Sequence, residues 1–186
     1  MKSIRTQFGK LQCFYPYTVA LVGARVGDRL NFMTCAWHTA LSTSPPLFGV
    51  LIGRTKLTHG LIAEAREFTV NFLGYERVKL SALMGRRSGA VMDKIKESAV
   101  SLLPARFIQT PIIAEAYASM ECRLVEVKPL GDHDLFAGEV LAIHEDPGSF
   151  DADGLLNAVK TKPLLYLGTD FYITIDPETL KRVVPD

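Results

Sequence analysis

Apolar and polar positions alternate with period two over much of this chain, in short β-branched or aromatic runs broken by Gly, Pro and Asp. That pattern predicts strands over Tyr17–Arg25, Arg29–Thr34, Leu47–Ile52, Glu67–Leu73, Ala116–Pro129, Asp134–Glu145 and Leu164–Tyr166. Val26-Gly27-Asp28 and Gly131-Asp132 each lie between two such runs, where Gly gives the permissive backbone of a hairpin. Helical stretches rich in Ala, Leu, Glu and Lys are expected over Lys56–Arg66, Arg77–Gly85 and Ser88–Lys96, the first capped by Thr55 or Thr58. About seven strands with a short helix between the third and fourth predict a mainly β fold, a closed or nearly closed antiparallel barrel with short helical insertions. The turn-rich stretch Asp146–Lys162 leaves the barrel before a last strand. The tail after Phe171 is expected to pack on a partner or fray.

Composition narrows the function classes. The 186 residues fit one domain, with a core over about 10–170 and a tail over 171–186, and 48% hydrophobic against 22% charged residues marks a folded chain. The formal net charge is +1, and no basic tract exceeds the pair Arg86-Arg87, which argues against a nucleic-acid partner. No apolar run approaches the roughly 20 residues of a membrane span, and the first ten residues lack the apolar region of a secretory signal. The expectation is therefore a cytoplasmic protein without a membrane partner. Cys13, Cys35 and Cys122 have no metal-ligand spacing, so no metal site is expected.

The stretch Asn31-Phe32-Met33-Thr34-Cys35-Ala36-Trp37-His38, then Ser42-Thr43-Ser44-Pro45-Pro46, ends in Gly53-Arg54-Thr55-Lys56-Leu57-Thr58. A strand running into a helix start with two cations and two hydroxyls suits a phosphate, because a helix N-terminus offers free N–H groups. The same residues also suit a solvated loop with a capping threonine. Small side chains at Thr34, Cys35 and Ala36 would let a flat ring lie on the backbone. Trp37 is either a wall for that ring or a core or interface aromatic.

Together with Glu67-Phe68-Thr69-Val70-Asn71-Phe72 and Gly131-Asp132-His133-Asp134-Leu135-Phe136-Ala137-Gly138-Glu139-Val140, these segments resemble the flavin reductase-like FMN-binding split-barrel family, including its flavoredoxin-type branch. The resemblance implies a homodimer of Greek-key split barrels of six or seven strands, with one tightly bound FMN per subunit. It places Thr34, Cys35, Ala36 and Trp37 at the ring or ribityl chain, and Arg54, Thr55, Lys56 and Thr58 at the phosphate with Ser42 as a further donor. Asn71, Phe72 and Leu73 would flank the ring, and His133 would sit at its open face as the catalytic residue, against the alternative of a turn histidine.

The implied activity is an FMN-dependent oxidoreductase that takes hydride from NADH or NADPH and reduces free flavin, a ferric complex or a small electron carrier. No GxGxxG run is present, so the nucleotide would stack directly on the flavin. Two other readings stand beside it: an FMN-binding electron-transfer protein reduced by a protein partner, and a flavin-free interaction module. A sharper expectation is that Cys35 and His133 offer a thiol and an imidazole to a ferric acceptor.

Overall fold

In the computed structural model, which describes residues 2–4, 6 and 13–183, the run from Tyr17 splits into two strands at Val19. Tyr17–Thr18 (β1) belongs to a small outer sheet, whereas Ala20–Val26 (β2) enters the barrel. Then follow Arg29–Cys35 (β3), His38–Thr43 (β4), Pro46–Gly53 (β5), the helix Leu57–Ala65 (α1) and Glu67–Leu73 (β6). Val78–Arg86 (α2) and Lys94–Ser98 (α3) lead to the short pair Leu102–Leu103 (β7) and Ile112–Ile113 (β8). The long hairpin Ala116–Leu130 (β9) and His133–Glu145 (β10) precedes Leu165–Gly168 (β11) and Phe171–Ile173 (β12). Residues 10–12 of the expected core and 184–186 of the expected tail lie outside the described residues.

Seven strands form one antiparallel sheet in the order β3-β2-β6-β9-β10-β5-β4. Three hairpins, β2–β3, β4–β5 and β9–β10, are joined with β6 returning beside β2, a Greek-key arrangement. The sheet curls until β3 approaches β5, where the Cys35 thiol donates to the Leu51 carbonyl at 3.8 Å, and among the described residues no ladder joins the edge strands β3 and β4. The fold is thus mainly β, a split barrel with short helices. Gly27 and Gly131 take φ of +56° and +62° at the two hairpin tips, where a Cβ would be strained.

Packing explains why β2 reads as nearly continuous apolar sequence. Its alternate residues Ala20, Val22 and Ala24 fill the barrel with Val50, Ile52, Phe68 and Phe136, and Leu61 and Ile62 of α1 join them. Leu21 faces the other way, into a second cluster with Phe32, Leu73 and Met84 of α2. Both faces of the strand are covered, so neither needs polar residues. The sequence pattern missed β4, whose His-Thr-Ala-Leu-Ser-Thr is mostly exposed, and β12, whose residues were assigned to the tail. The expected third helix is only Lys94–Ser98, capped by Asp93, which accepts from the Ile95 and Lys96 N–H groups at 3.1 Å.

Candidate functional site

Two adjoining compartments lie along β3, between the barrel seam and α2. The first, about 290 Å³, is lined by Thr34, Cys35, Ala36 and Trp37 from the seam, by His133, and by Tyr15, Tyr166 and Tyr172 from the outer sheet and its approach. Strand register builds this slot. His133 pairs with Gly53 across β10 and β5, and the Trp37 carbonyl is bound by Leu51 of β5, so the two rings meet with centroids 4.9 Å apart. The Trp37 Nε1–H donates to the Tyr15 hydroxyl at 3.2 Å, and Tyr15 stands edge-on to Tyr166 at 5.4 Å. The imidazole packs beside Gly53, and its Nδ1 bonds Asp132 at 2.8 Å. That contact holds the Asp132 carboxyl below its usual range.

The second compartment, about 210 Å³, shares Met33, Thr34, Lys56, Gly85 and Arg86 with the first. Thr55, Lys56 and Thr58 line one side, at the start of α1; Arg86, Arg87, Ser88 and Lys94 line the other. No aspartate or glutamate lines it among the described residues. Helix α1 has neither a side-chain cap nor an acidic residue in its first turn, so the positive end of its dipole is uncompensated there. Neither expected threonine caps it, because the N-cap position falls on Lys56: Thr55 precedes it, and Thr58 lies inside the first turn, buried and accepting from Asn31 Nδ2 at 2.7 Å. Lys94 is 3% exposed, and its ammonium donates to the Phe32 and Met84 carbonyls at 2.5 and 2.9 Å. Burial, with the neighbouring Lys56 charge adding to it, pushes Lys94 down to about 8. A buried cation without a carboxylate partner is stabilised by an anion.

Several expected residues lie elsewhere. Arg54, expected at the phosphate, is drawn to Asp134, which its Nε meets at 2.8 Å while His59 Nε2 binds the other oxygen at 2.9 Å. Ser42 sits on edge strand β4 opposite Leu47 and lines neither compartment. Asn71, Phe72 and Leu73 belong to central strand β6, whose ends are covered. Asn71 donates to the Leu21 carbonyl and accepts from the Ile113 N–H and the Ser119 hydroxyl. Phe72 packs among His38, Phe48 and Tyr117, and Leu73 fills the second core. Cys35 and His133, expected to face a ferric acceptor together, both line the first compartment. The Cys35 thiol donates to the Trp37 carbonyl at 3.2 Å, and burial pushes it up to about 12.

Sequence reasoning also missed residues. Arg86, Arg87 and Ser88 come from the end of α2 and the loop after it, Lys94 from the start of α3, Asp170 from the β11–β12 turn and Tyr172 from the supposed tail. The local signal in the sequence was the pair Arg86-Arg87 between two helical stretches. Arg86 also bridges to Asp170, Nη2 to Oδ2 at 2.7 Å, tying α2 to the β11–β12 turn. Both side chains are more than half exposed, so the pair gives way at little cost.

The model of the flavin reductase-like domain matches residues 11–174. The chain belongs to that family. Among solved structures, this flavin reductase-like chain is similar to an FMN-binding protein from Thermus thermophilus with bound 1-cyclohex-2-enone. The TM-score is 0.88 and the identity 37%, over 98% of this chain and 100% of that one. A flavoredoxin from Methanosarcina acetivorans matches with a TM-score of 0.82 and 28% identity, over 94% and 92% of the two chains. In sequence, an NADH-dependent FMN reductase of Streptomyces nodosus subsp. asukaensis is 30% identical over 140 residues, 75% of each chain. No helix of the described residues is long and apolar enough to cross a membrane.

Proposed function

We propose that the two compartments hold FMN, the first taking the ring and the second the phosphate, and that the chain is an FMN-dependent oxidoreductase driven by NADH or NADPH. The observation that carries this reading is a cationic compartment without carboxylates that opens through shared walls onto a flat aromatic slot. The donor set fits the group: Lys56, Lys94, Arg86 and Ser88 suit a phosphate dianion, and Lys94 already lacks a counter-charge. Thr34, Cys35 and Ala36 present short side chains along one wall, while Trp37, Tyr166 and Tyr172 supply aromatic surface. A bound flavin supplies hydride acceptance and onward electron transfer, singly or in pairs.

The chain's own residues bind and orient. Lys56 and Lys94 neutralise the phosphate, and Gly85 lets α2 pass close to Thr34, whose hydroxyl donates to the Ser81 carbonyl at 2.5 Å. His133, braced by Asp132 and Trp37, borders the mouth where a nicotinamide ring would enter and offers an imidazole to orient it. On this reading the protein works as a homodimer and passes electrons to free flavin, a ferric complex or a small carrier. The test is anaerobic titration of FMN-loaded protein with NADH and NADPH in turn, following the yellow flavin absorbance. Bleaching with either nucleotide is expected. Stable colour with both would leave an electron-transfer protein reduced by a partner, and failure to take up FMN would remove the flavin reading.

A further inference from the structure

The walls of the aromatic slot are chosen more narrowly than packing requires. Among the described residues no phenylalanine lines it, although the chain has ten, whereas three of the six tyrosines and the only tryptophan do. Phenylalanine fills the cores instead, with Phe32, Phe68 and Phe136 fully buried. Exposure to water does not account for the choice. Tyr15 and Tyr172 each follow an exposed phenylalanine, Phe14 and Phe171, that lines neither compartment of the site. Tyrosine and tryptophan differ from phenylalanine in carrying a polar handle and in losing one electron far more readily.

The four rings also form one line. It begins at the seam, where Trp37 packs on His133 and donates its Nε1–H to the Tyr15 hydroxyl at 3.2 Å. Tyr15 meets Tyr166 edge-on with centroids 5.4 Å apart, and Tyr166 meets Tyr172 at 5.2 Å. Strand register fixes the far end, since Tyr166 of β11 stands opposite Tyr172 of β12. Tyr172 is half-buried and lies close to the exposed turn that carries Asp170. The Tyr15 hydroxyl is the acceptor in its bond with Trp37, and the Tyr166 hydroxyl accepts from the Asp170 N–H at 3.4 Å, so each keeps its own O–H to give. Hydride transfer from a nicotinamide ring moves two electrons together and draws none from these side chains, which leaves the line without a part in that step.

We infer that Trp37, Tyr15, Tyr166 and Tyr172 form a one-electron path from the ring slot to the protein surface, by which blue light reduces the bound flavin at the expense of an external thiol. The inference rests on the flavin reading given above. Trp37 gives one electron to the excited ring and is refilled from Tyr15, Tyr15 from Tyr166, and Tyr166 from Tyr172, which releases its phenolic proton to water. A thiol then returns a hydrogen atom, one electron with one proton, to the Tyr172 oxygen. Two such passages, with two protons taken from water, give the ring two electrons, and the two thiyl radicals couple to a disulfide. One flavin and two thiols are consumed; one reduced flavin and one disulfide are formed.

The path is tested first without flavin. Pulse radiolysis of the apoprotein in azide generates an oxidant selective for tryptophan, and Trp37 is the only one, so the radical starts at a known place. Its signal should decay into tyrosyl absorbance at a rate independent of protein concentration, with the proton crossing the 3.2 Å contact from Tyr15, and Tyr15→Phe should slow that transfer severalfold. In the second arm, protein saturated with FMN is illuminated anaerobically with mercaptoethanol, against free FMN under the same light. Wild type should bleach faster than free FMN, and Tyr166→Phe and Tyr172→Phe, which keep the rings, should bleach severalfold more slowly than wild type. Radical transfer indifferent to Tyr15→Phe, or equal bleaching of wild type and both ring-preserving variants, would overturn the inference with the flavin reading intact. Failure of FMN to bind would overturn the flavin reading, and the light-driven step with it.

Discussion

Replacing Lys94 with Met tests whether the second compartment is built for an anion. The wild-type ammonium is 3% exposed, held between two carbonyls, and titrates at about 8 instead of 10.5. Because the folded pKa lies below the unfolded one, the unfolded chain binds more protons between those values, and stability rises with pH across that window. The charge costs the empty fold about 3 kcal/mol at pH 7, of which about 2 kcal/mol is recovered by pH 9.5. Lys94→Met has no such titration; its loss of two hydrogen bonds to the Phe32 and Met84 carbonyls is the same at both pH values.

Urea denaturation of the two apoproteins at pH 7 and 9.5 should therefore show wild type gaining about 2 kcal/mol on the variant over that range, whatever their difference at either end. The ligand arm has the opposite sign. A phosphate beside Lys94 favours the charged form, so FMN binding takes up a proton near pH 8 and weakens as the pH rises further. At pH 7, loss of one charge-assisted hydrogen bond should weaken FMN about 10- to 100-fold in the variant. A constant stability gap between pH 7 and 9.5, together with equal FMN affinities, would refute the reasoning.

Three further outcomes follow from the same geometry. Trp37, the sole tryptophan, lines the aromatic slot, so FMN added to apoprotein should quench most of the intrinsic emission; unquenched fluorescence at saturation would place the ring elsewhere. A Cβ at Gly89 would stand 2.1 Å from Asn31 Oδ1, so Gly89→Ala should displace Asn31, break its bond to Thr58 and cost about 1–3 kcal/mol by urea denaturation; a neutral result would mean the loop yields freely. Asn71→Leu strands the Leu21 carbonyl, the Ile113 N–H and the Ser119 hydroxyl, and should cost about 2–4 kcal/mol while leaving the FMN affinity of the folded fraction unchanged; a selective affinity loss would return Asn71 to the site.

The strand pattern was legible because alternation records which face is buried, and most barrel strands have one face in the core. β4 escaped because an exposed edge strand carries little of that record, and β12 because three residues between a turn and a tail give no period. Thr34, Cys35, Ala36, Trp37, Thr55, Lys56 and Thr58 were legible as one small-residue and cation-bearing stretch, and β3 with the start of α1 does bring them along one trench. Arg54 was not, since its guanidinium answers to a carboxylate 80 positions away.

The strand alternation, the hairpin glycines and the first wall of the site are set by neighbours in the chain, and so can be read along it. The opposite wall exists only once the chain has packed. Arg86, Arg87, Ser88 and Lys94 face Lys56 because Met84 and Phe32 bury α2 against β3, and Tyr166 and Tyr172 arrive because the last hairpin folds back on β1. Charges 30 to 40 positions apart carry no mark of one another until packing brings them together, and that convergence gives the compartment its unbalanced positive charge.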